Sequence, residues 1–284
     1  MDKILITGAN GQLGSEIKEA SALYPNAQYI YTDREELDIT NAAAVADFLK
    51  DSNYTFLINC AAYTAVDKAE SDKELAYAIN ASAAGILARA CHQSNIRFVH
   101  VSTDFIFDGT LARPLHEDEE ANPLSVYGTT KLEGELKVKA SNPDALILRT
   151  SWVYSSFGNN FVKTIIKLCK ERESLNIIFD QIGTPTYAKD LALAILAITL
   201  GNKWHPGVYN YSNEGVASWY DFAIAIRNNA GLTTKINPIE TSQYPTPAVR
   251  PKYSVLNKRK FKDTFNIEIP YWKDSLNSCM QLLK

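Results

Sequence analysis

The sequence predicts an α/β protein: a doubly wound parallel sheet followed by a smaller, interleaved C-terminal α/β lobe. Three observations carry that expectation. Short apolar runs alternate with longer amphipathic ones through the first half of the chain, the signature of βαβ units. A glycine-rich turn separates the first such run from the first helical pattern. Beyond about Tyr154 the alternation loosens, and the tail becomes proline-rich at Pro238, Pro245, Pro247 and Pro251.

In chain order, the short apolar runs place strands at residues 3–7, 28–32, 55–60, 97–102 and 145–150. Helical periodicity fills residues 13–23, 42–50, 73–93 and 127–140 between them. The second half reads as a helix near 160–172, a strand near 176–179, an apolar helix over 187–200, a strand at 208–211 and a helix over 219–229. The four tail prolines are spaced too closely for a helix or a central strand.

Composition narrows the function classes. The 284 residues are 46% hydrophobic and 21% charged, enough apolar material for a large core and too much for a disordered chain. Lys and Arg number 29 against 32 Asp and Glu, so no basic footprint for a phosphate backbone exists and nucleic acid is not an expected partner. Cys60, Cys91, Cys169 and Cys279 lie far apart, and the four histidines show no metal-ligand spacing, which fits reduced thiols in a cytoplasmic protein. The N-terminus runs almost at once into Ile4-Leu5-Ile6-Thr7, with no room for a secretion signal. The most apolar run, 191–200, is about half the ~20 residues a membrane span needs.

The turn Gly8-Ala9-Asn10-Gly11-Gln12-Leu13-Gly14 follows a predicted strand and opens a predicted helix. Glycines there permit positive φ and close approach of a pyrophosphate, whose charge is favoured by the free N–H groups of the helix N-terminus. The G-x-x-G-x-x-G spacing points to the short-chain dehydrogenase variant of the dinucleotide fold. About 20 residues further on, Asp33 ends the second strand, where a carboxylate accepts hydrogen bonds from adenosine ribose hydroxyls. The adjacent Arg34 either pairs with the 2′-phosphate of NADPH or belongs to a solvated loop, which leaves NADH and NADPH both open.

Tyr127 and Lys131 are spaced four apart at the start of a predicted helix, so both side chains lie on one face. A neighbouring ammonium stabilises a phenolate and suits the tyrosine to acid–base work, although the bare pattern also describes an exposed surface pair. Val101-Ser102-Thr103-Asp104 ends a predicted parallel strand, where open α/β sheets place their ligand crevice. The Thr103 hydroxyl there either polarises a carbonyl or simply forms a turn.

These motifs, with Asn59-Cys60-Ala61-Ala62-Tyr63-Thr64-Ala65-Val66-Asp67-Lys68-Ala69-Glu70, Arg149-Thr150-Ser151-Trp152-Val153-Tyr154 and Pro245-Thr246-Pro247-Ala248-Val249-Arg250-Pro251, run nearly end to end. On them the chain resembles the extended short-chain dehydrogenases/reductases, a Rossmann-type family, and within it the dTDP-4-dehydrorhamnose reductases. The resemblance implies NAD(P)H-dependent reduction of the 4-keto group of a nucleotide sugar, dTDP-4-dehydro-β-L-rhamnose, for cell-surface polysaccharide. It implies a dinucleotide-binding domain over 1–155 and a mainly sugar-nucleotide-binding lobe over 156–284, with about 187–211 packing back on the first domain.

Carried over by position, the resemblance puts Gln12 and Leu13, Asp38 and Ile39, Ala61, Ala62, Tyr63 and Val101 at the cofactor, with Tyr127 and Lys131 also touching it. Val66, Thr103, Asp104 and Trp152 are expected to meet the substrate. Asp104 orients sugar hydroxyls or caps a turn; Trp152 touches substrate or packs in the core; Arg250 clamps a pyrophosphate or makes a structural ion pair. The acidic run Glu117-Asp118-Glu119-Glu120 reads as a solvated loop. Some relatives dimerise through carboxylate-bound Mg²⁺. Glu16 matches one such ligand, but Lys189 stands where a second is expected, so a monomer and a homodimer are both compatible. The alternatives on the same scaffold are a nucleotide-sugar epimerase or dehydratase with tightly held NAD, and a non-catalytic regulatory subunit of a methionine adenosyltransferase.

Overall fold

In the computed structural model of the chain, which describes residues 1–50, 52–201 and 204–283, the elements follow in the order β1 (Lys3–Thr7), α1 (Gln12–Ala20), β2 (Gln28–Thr32), α2 (Ala42–Leu49), β3 (Phe56–Asn59), α3 (Val66–Ala69), α4 (Lys73–Tyr77), α5 (Ala83–Gln93), β4 (Arg97–Thr103), α6 (Val126–Ser141) and β5 (Leu146–Thr150). The second half adds β6 (Val153–Tyr154), α7 (Phe161–Glu171), β7 (Ser174–Ile178), β8 (Ile182–Gly183), β9 (Thr186–Tyr187), α8 (Ala188–Leu200), β10 (Gly207–Asn210), β11 (Ala217–Ser218), α9 (Trp219–Asn229), β12 (Lys235–Ile239), α10 (Arg259–Phe265) and α11 (Trp272–Gln281). Six parallel strands form the main sheet in the order β10-β5-β4-β3-β1-β2. The doubly wound parallel α/β architecture is the one the sequence predicts.

Strand periodicity explains the two-sided core. Ile4 and Ile6 point into one apolar layer with Ile17 of α1 and Leu191 and Ile195 of α8, whereas Leu5 faces the opposite layer with Val45 of α2 and Leu87 of α5. A third core joins α7, α9 and α11 through Ile165, Phe222 and Trp272. No helix among the described residues is long and apolar enough to cross a membrane.

From β1 the chain steps out to β2 and then returns to place β3 on the other side. This reversal opens a crevice at the C-terminal ends of β1 and β3, the position at which parallel sheets bind ligands. The segments after β1, β3 and β4 therefore converge on one edge.

Several elements differ from the sequence expectation. The helix expected over 73–93 is α4 and α5 joined by a π-helical turn, Ala78–Ser82. Pro238 lies inside a strand: β12 pairs in parallel with β7 in a two-stranded sheet, where both strands are edges and a missing N–H is tolerated. The tail also carries α10 and α11, which the proline spacing hid. The acidic run is only partly solvated, because the Glu117 carbonyl accepts from Arg149 at 2.8 Å and its carboxylate accepts from the Asn210 N–H at 2.9 Å, while Glu119 pairs with Arg113.

Helix α6 is fixed to the sheet by one buried carboxylate. Glu135, fully buried, accepts from Arg149 of β5 at 2.9 and 2.8 Å and from the Ser102 hydroxyl of β4 at 2.6 Å. Burial pushes its carboxyl up, but Arg149 and Ser102 outweigh burial and hold it below the usual carboxylate range. Replacing Arg149 by Met should leave that charge only Ser102 and the half-exposed Lys139 ammonium at 3.7 Å, and destabilise the fold by about 3 kcal/mol. Urea unfolding of the Arg149→Met variant checks this, and a loss under about 1 kcal/mol would contradict it.

Candidate active site

The turn after β1 is shaped by contact distance. Gly8 has φ +67°, and a Cβ on it would lie 2.6 Å from the Ala61 nitrogen; on Gly14 it would lie 2.4 Å from the Gly8 oxygen. Both positions exclude any side chain, which packs the turn against the loop after β3 at Gly8 and the start of α1 against the turn at Gly14. Gly11 precedes α1 without a side-chain cap, leaving the N–H groups of Gln12, Leu13 and Gly14 available to an anion. The Leu13 side chain itself is buried in the core. Gln12 accepts from Asn160 at 3.0 Å.

A cleft of about 370 Å³ opens beside this turn, lined by Gly8, Gly11, Asp33, Arg34, Asp38, Ile39, Ala61 and Ala62, all expected cofactor residues, together with Cys60 and Leu75. Asp33 accepts from the Asn10 N–H at 3.0 Å and the Arg34 N–H at 2.9 Å, so it ties the glycine turn to the end of β2. Asp38 accepts from the Thr40 hydroxyl at 2.6 Å, and this bond holds its carboxyl below the usual range. The cradle fits a dinucleotide: the exclusion of Cβ atoms, the uncapped helix start and the acidic strand end are the parts such a ligand requires.

Thr103 ends β4, and its hydroxyl donates to Asp104 at 3.1 Å. Tyr127 begins α6, capped by Ser125, and packs with Tyr63, Val66 and Phe105 in a small apolar cluster; the Phe105 ring meets it edge-on at 5.5 Å. Burial pushes the Tyr127 phenol up to about 12, partly offset by the adjacent Thr103 hydroxyl. This direction is opposite to the one expected of the Tyr-x-x-x-Lys spacing. Burial of the phenol is the reason; the Lys131 ammonium donates to the Val101 carbonyl at 2.7 Å, and burial lowers it to about 8. Asp104, 1% exposed, is pushed up to about 6 by burial.

Trp152 packs against the core formed by α7, α9 and α11, and Arg250 lines a second cleft. The Trp152 ring stacks on Trp219 at 3.6 Å. Arg250 makes a two-point ion pair with Asp67, at 3.0 and 2.8 Å, so the ion pair is the contact present, and both residues line a larger cleft of about 630 Å³ with Trp219, Phe161 and Arg172.

A family profile described as "RmlD substrate binding domain" matches residues 1–284. The chain belongs to the RmlD family. It is 40% identical to a dTDP-4-dehydrorhamnose reductase from Burkholderia thailandensis over 98% of both chains. Among solved structures it superposes with a TM-score of 0.95 on a dTDP-4-dehydrorhamnose reductase from Clostridium acetobutylicum at 46% identity, covering 99% of each chain. The corresponding enzyme from Bacillus anthracis, solved in complex with NADP, superposes with a TM-score of 0.94 at 37% identity, again over 99% of each chain.

The RmlD-family site contains a residue that motif reading misses. Asn80, in the π turn, accepts from the Tyr63 N–H at 2.8 Å and donates to the Tyr63 carbonyl and the Thr130 hydroxyl, both at 3.1 Å. It thereby clamps the loop after β3 to the helix that carries Tyr127. The available signal was one amide in an alanine-rich helix. Mg²⁺ does not fit Glu16: that carboxylate is 2% exposed and accepts from Ser155 at 2.6 Å. Burial raises its carboxyl against the opposing effects of Ser155 and the nearby Lys189 charge. Among the described residues no group of three His, Cys, Asp or Glu could hold a metal ion.

Two outcomes follow from this geometry. Gly8→Ala, which adds a clash to a left-handed backbone, should weaken NADPH binding by roughly tenfold or more in a fluorescence titration, and unchanged affinity would contradict the cradle. The second concerns Lys131, whose folded pKa of about 8 lies below the ordinary 10.5. Between those values the folded protein holds fewer protons than the unfolded chain, so stability relative to Lys131→Met should rise with pH, by at most about 3 kcal/mol. Denaturant unfolding at pH 8 and pH 10.5 checks the sign.

Proposed function

We propose that this chain reduces the 4-keto group of dTDP-4-dehydro-β-L-rhamnose to dTDP-L-rhamnose with NADPH or NADH, completing dTDP-rhamnose for cell-surface polysaccharide. The observation that carries the reading is the end-to-end match to the RmlD family by a chain that keeps Thr103, Tyr127 and Lys131 at the sheet's ligand edge. Residues 1–155 serve the dinucleotide and residues 156–284 mainly the sugar nucleotide. The segment at about 187–211 packs back on the first domain, a reading supported by α8 lying against α1 and by β10 extending the main sheet. The enzyme works in the cytoplasm as a monomer or homodimer and does not engage nucleic acid.

A bound reduced nicotinamide supplies the hydride to sugar C4. Tyr127 does the complementary work: a phenol raised to about 12 keeps its proton at neutral pH and is an acid, able to protonate the C4 oxygen as the carbonyl electron pair moves onto it. Thr103, adjacent to that phenol, hydrogen-bonds the same oxygen. Lys131, one turn along the helix from Tyr127, stabilises the phenolate left behind and holds the nicotinamide ribose. Asp104 holds the Thr103 hydroxyl in place. Asp33 engages the adenosine ribose, and the exposed Arg34 is free to meet a 2′-phosphate.

The direct test follows the loss of reduced-nicotinamide absorbance with enzymatically prepared dTDP-4-dehydro-β-L-rhamnose, with NADH and NADPH run separately. Turnover to dTDP-L-rhamnose is expected, falling by about 10²–10⁴-fold in Tyr127→Phe with NADPH affinity unchanged. No oxidation by folded, cofactor-binding protein would overturn the reading.

A further inference from the structure

Trp152 has φ +45°, a left-handed backbone that a bulky residue adopts only when its surroundings enforce it. The enforcing contacts can be named. Its carbonyl accepts from the Thr186 N–H at 3.2 Å, and the preceding Ser151 hydroxyl donates to the Thr184 carbonyl at 2.7 Å. Its indole lies on Trp219 with centroids 3.6 Å apart and planes 8° from parallel. Gly183 abuts the same indole so closely that a Cβ there would fall 2.7 Å from Cε2.

Trp219 and Gly183 are themselves fixed by one small ladder. β11 pairs antiparallel with β8, setting Ala217 opposite Gly183, and Trp219 follows immediately as the first residue of α9. A capping box between Ser218 and Asp221 sets the start of that helix, with bonds of 3.0 and 2.9 Å. Phe161 of α7 supports the Trp219 ring at 4.7 Å. Trp219 lines the 630 Å³ cleft that also holds Arg172 and Arg250, whereas Trp152 does not. The stacked pair therefore joins the cleft, which Trp219 lines, to Trp152, two residues beyond β5, the strand next to the Thr103 strand end.

We infer that Trp219 is a positioning residue for the sugar nucleotide. By stacking on Trp152 it holds that indole in its strained orientation, so that occupation of the cleft and presentation of the sugar are linked through one aromatic contact. The inference rests on the proposed function and on the expectation, from the family resemblance, that Trp152 meets the substrate.

The test measures binding of dTDP-L-rhamnose by calorimetry, independently of turnover, alongside far-ultraviolet circular dichroism. Indoles stacked this closely couple wherever their in-plane transition moments are twisted against one another, and the paired far-ultraviolet signal of that coupling should be absent in both Trp219→Phe and Trp219→Ala. Trp219→Ala should weaken dTDP-L-rhamnose binding about three- to tenfold, Trp219→Phe should restore most of it, and NADPH affinity should not move in either. Wild-type affinity in Trp219→Ala, or equal weakening in both variants, would overturn the inference. If Trp219→Ala does not fold, Gly183→Ala replaces it, and an unchanged dTDP-L-rhamnose affinity with an altered exciton signal would overturn it equally. Wild-type protein that binds NADPH but not dTDP-L-rhamnose would instead overturn the substrate assignment.

Discussion

The carboxylate of Glu135 is the contact on which the active-site geometry depends. It is buried on the inner face of α6, where an unpaired charge would be prohibitive, and it is made tenable by a guanidinium from β5 and a hydroxyl from β4. Those bonds are directional. They set the axial position of α6 over β4, so Tyr127 and Lys131 at the start of the helix stand above the strand end that carries Thr103. Arg149 extends the constraint outwards through the Glu117 carbonyl, and the Glu117 carboxylate then caps β10. One network centred on an ion pair thus orders three strands, a helix and the loop before it.

Burial also sets the electrostatics. Desolvation pushes Lys131 down to about 8, Tyr127 up to about 12 and Asp104 up to about 6, each towards its uncharged form. Of the three, only the phenol is left uncharged at neutral pH, with the Lys131 ammonium and the Asp104 carboxylate still mainly ionised beside it. Asn80 completes the arrangement by using its amide to join two backbone groups and a threonine without adding a charge.

The main sheet was legible because its strands are short apolar runs and its turns have a chemical reason to be glycine, as at Gly8 and Gly14. The residues expected at the cofactor gather in one cleft for the same cause: Asp33 and the residues after β3 sit at fixed offsets from strand ends. What escaped depends on partners distant in sequence. Arg250 and Asp67 are 183 residues apart, and either alone is simply a surface charge. The raised Tyr127 phenol could not be read from Tyr-x-x-x-Lys spacing, because the helix face was legible while the burial was not. Pro238 misled because edge strands accept proline and nothing local marks a strand as an edge.

The proline-rich tail becomes intelligible through that same arginine. Pro245, Pro247 and Pro251 restrict the backbone before folding, which lowers the entropy lost when the segment is laid across the lobe. The segment forms no helix, so its carbonyls need partners, and Arg250 donates to the Ala248 carbonyl at 3.1 Å as well as to the Thr246 hydroxyl at 2.8 Å. Asp67 closes the loop from the other side, accepting from the Ala248 N–H at 3.2 Å and from the guanidinium. Arg250 therefore arrives at the 630 Å³ cleft already oriented and partly neutralised.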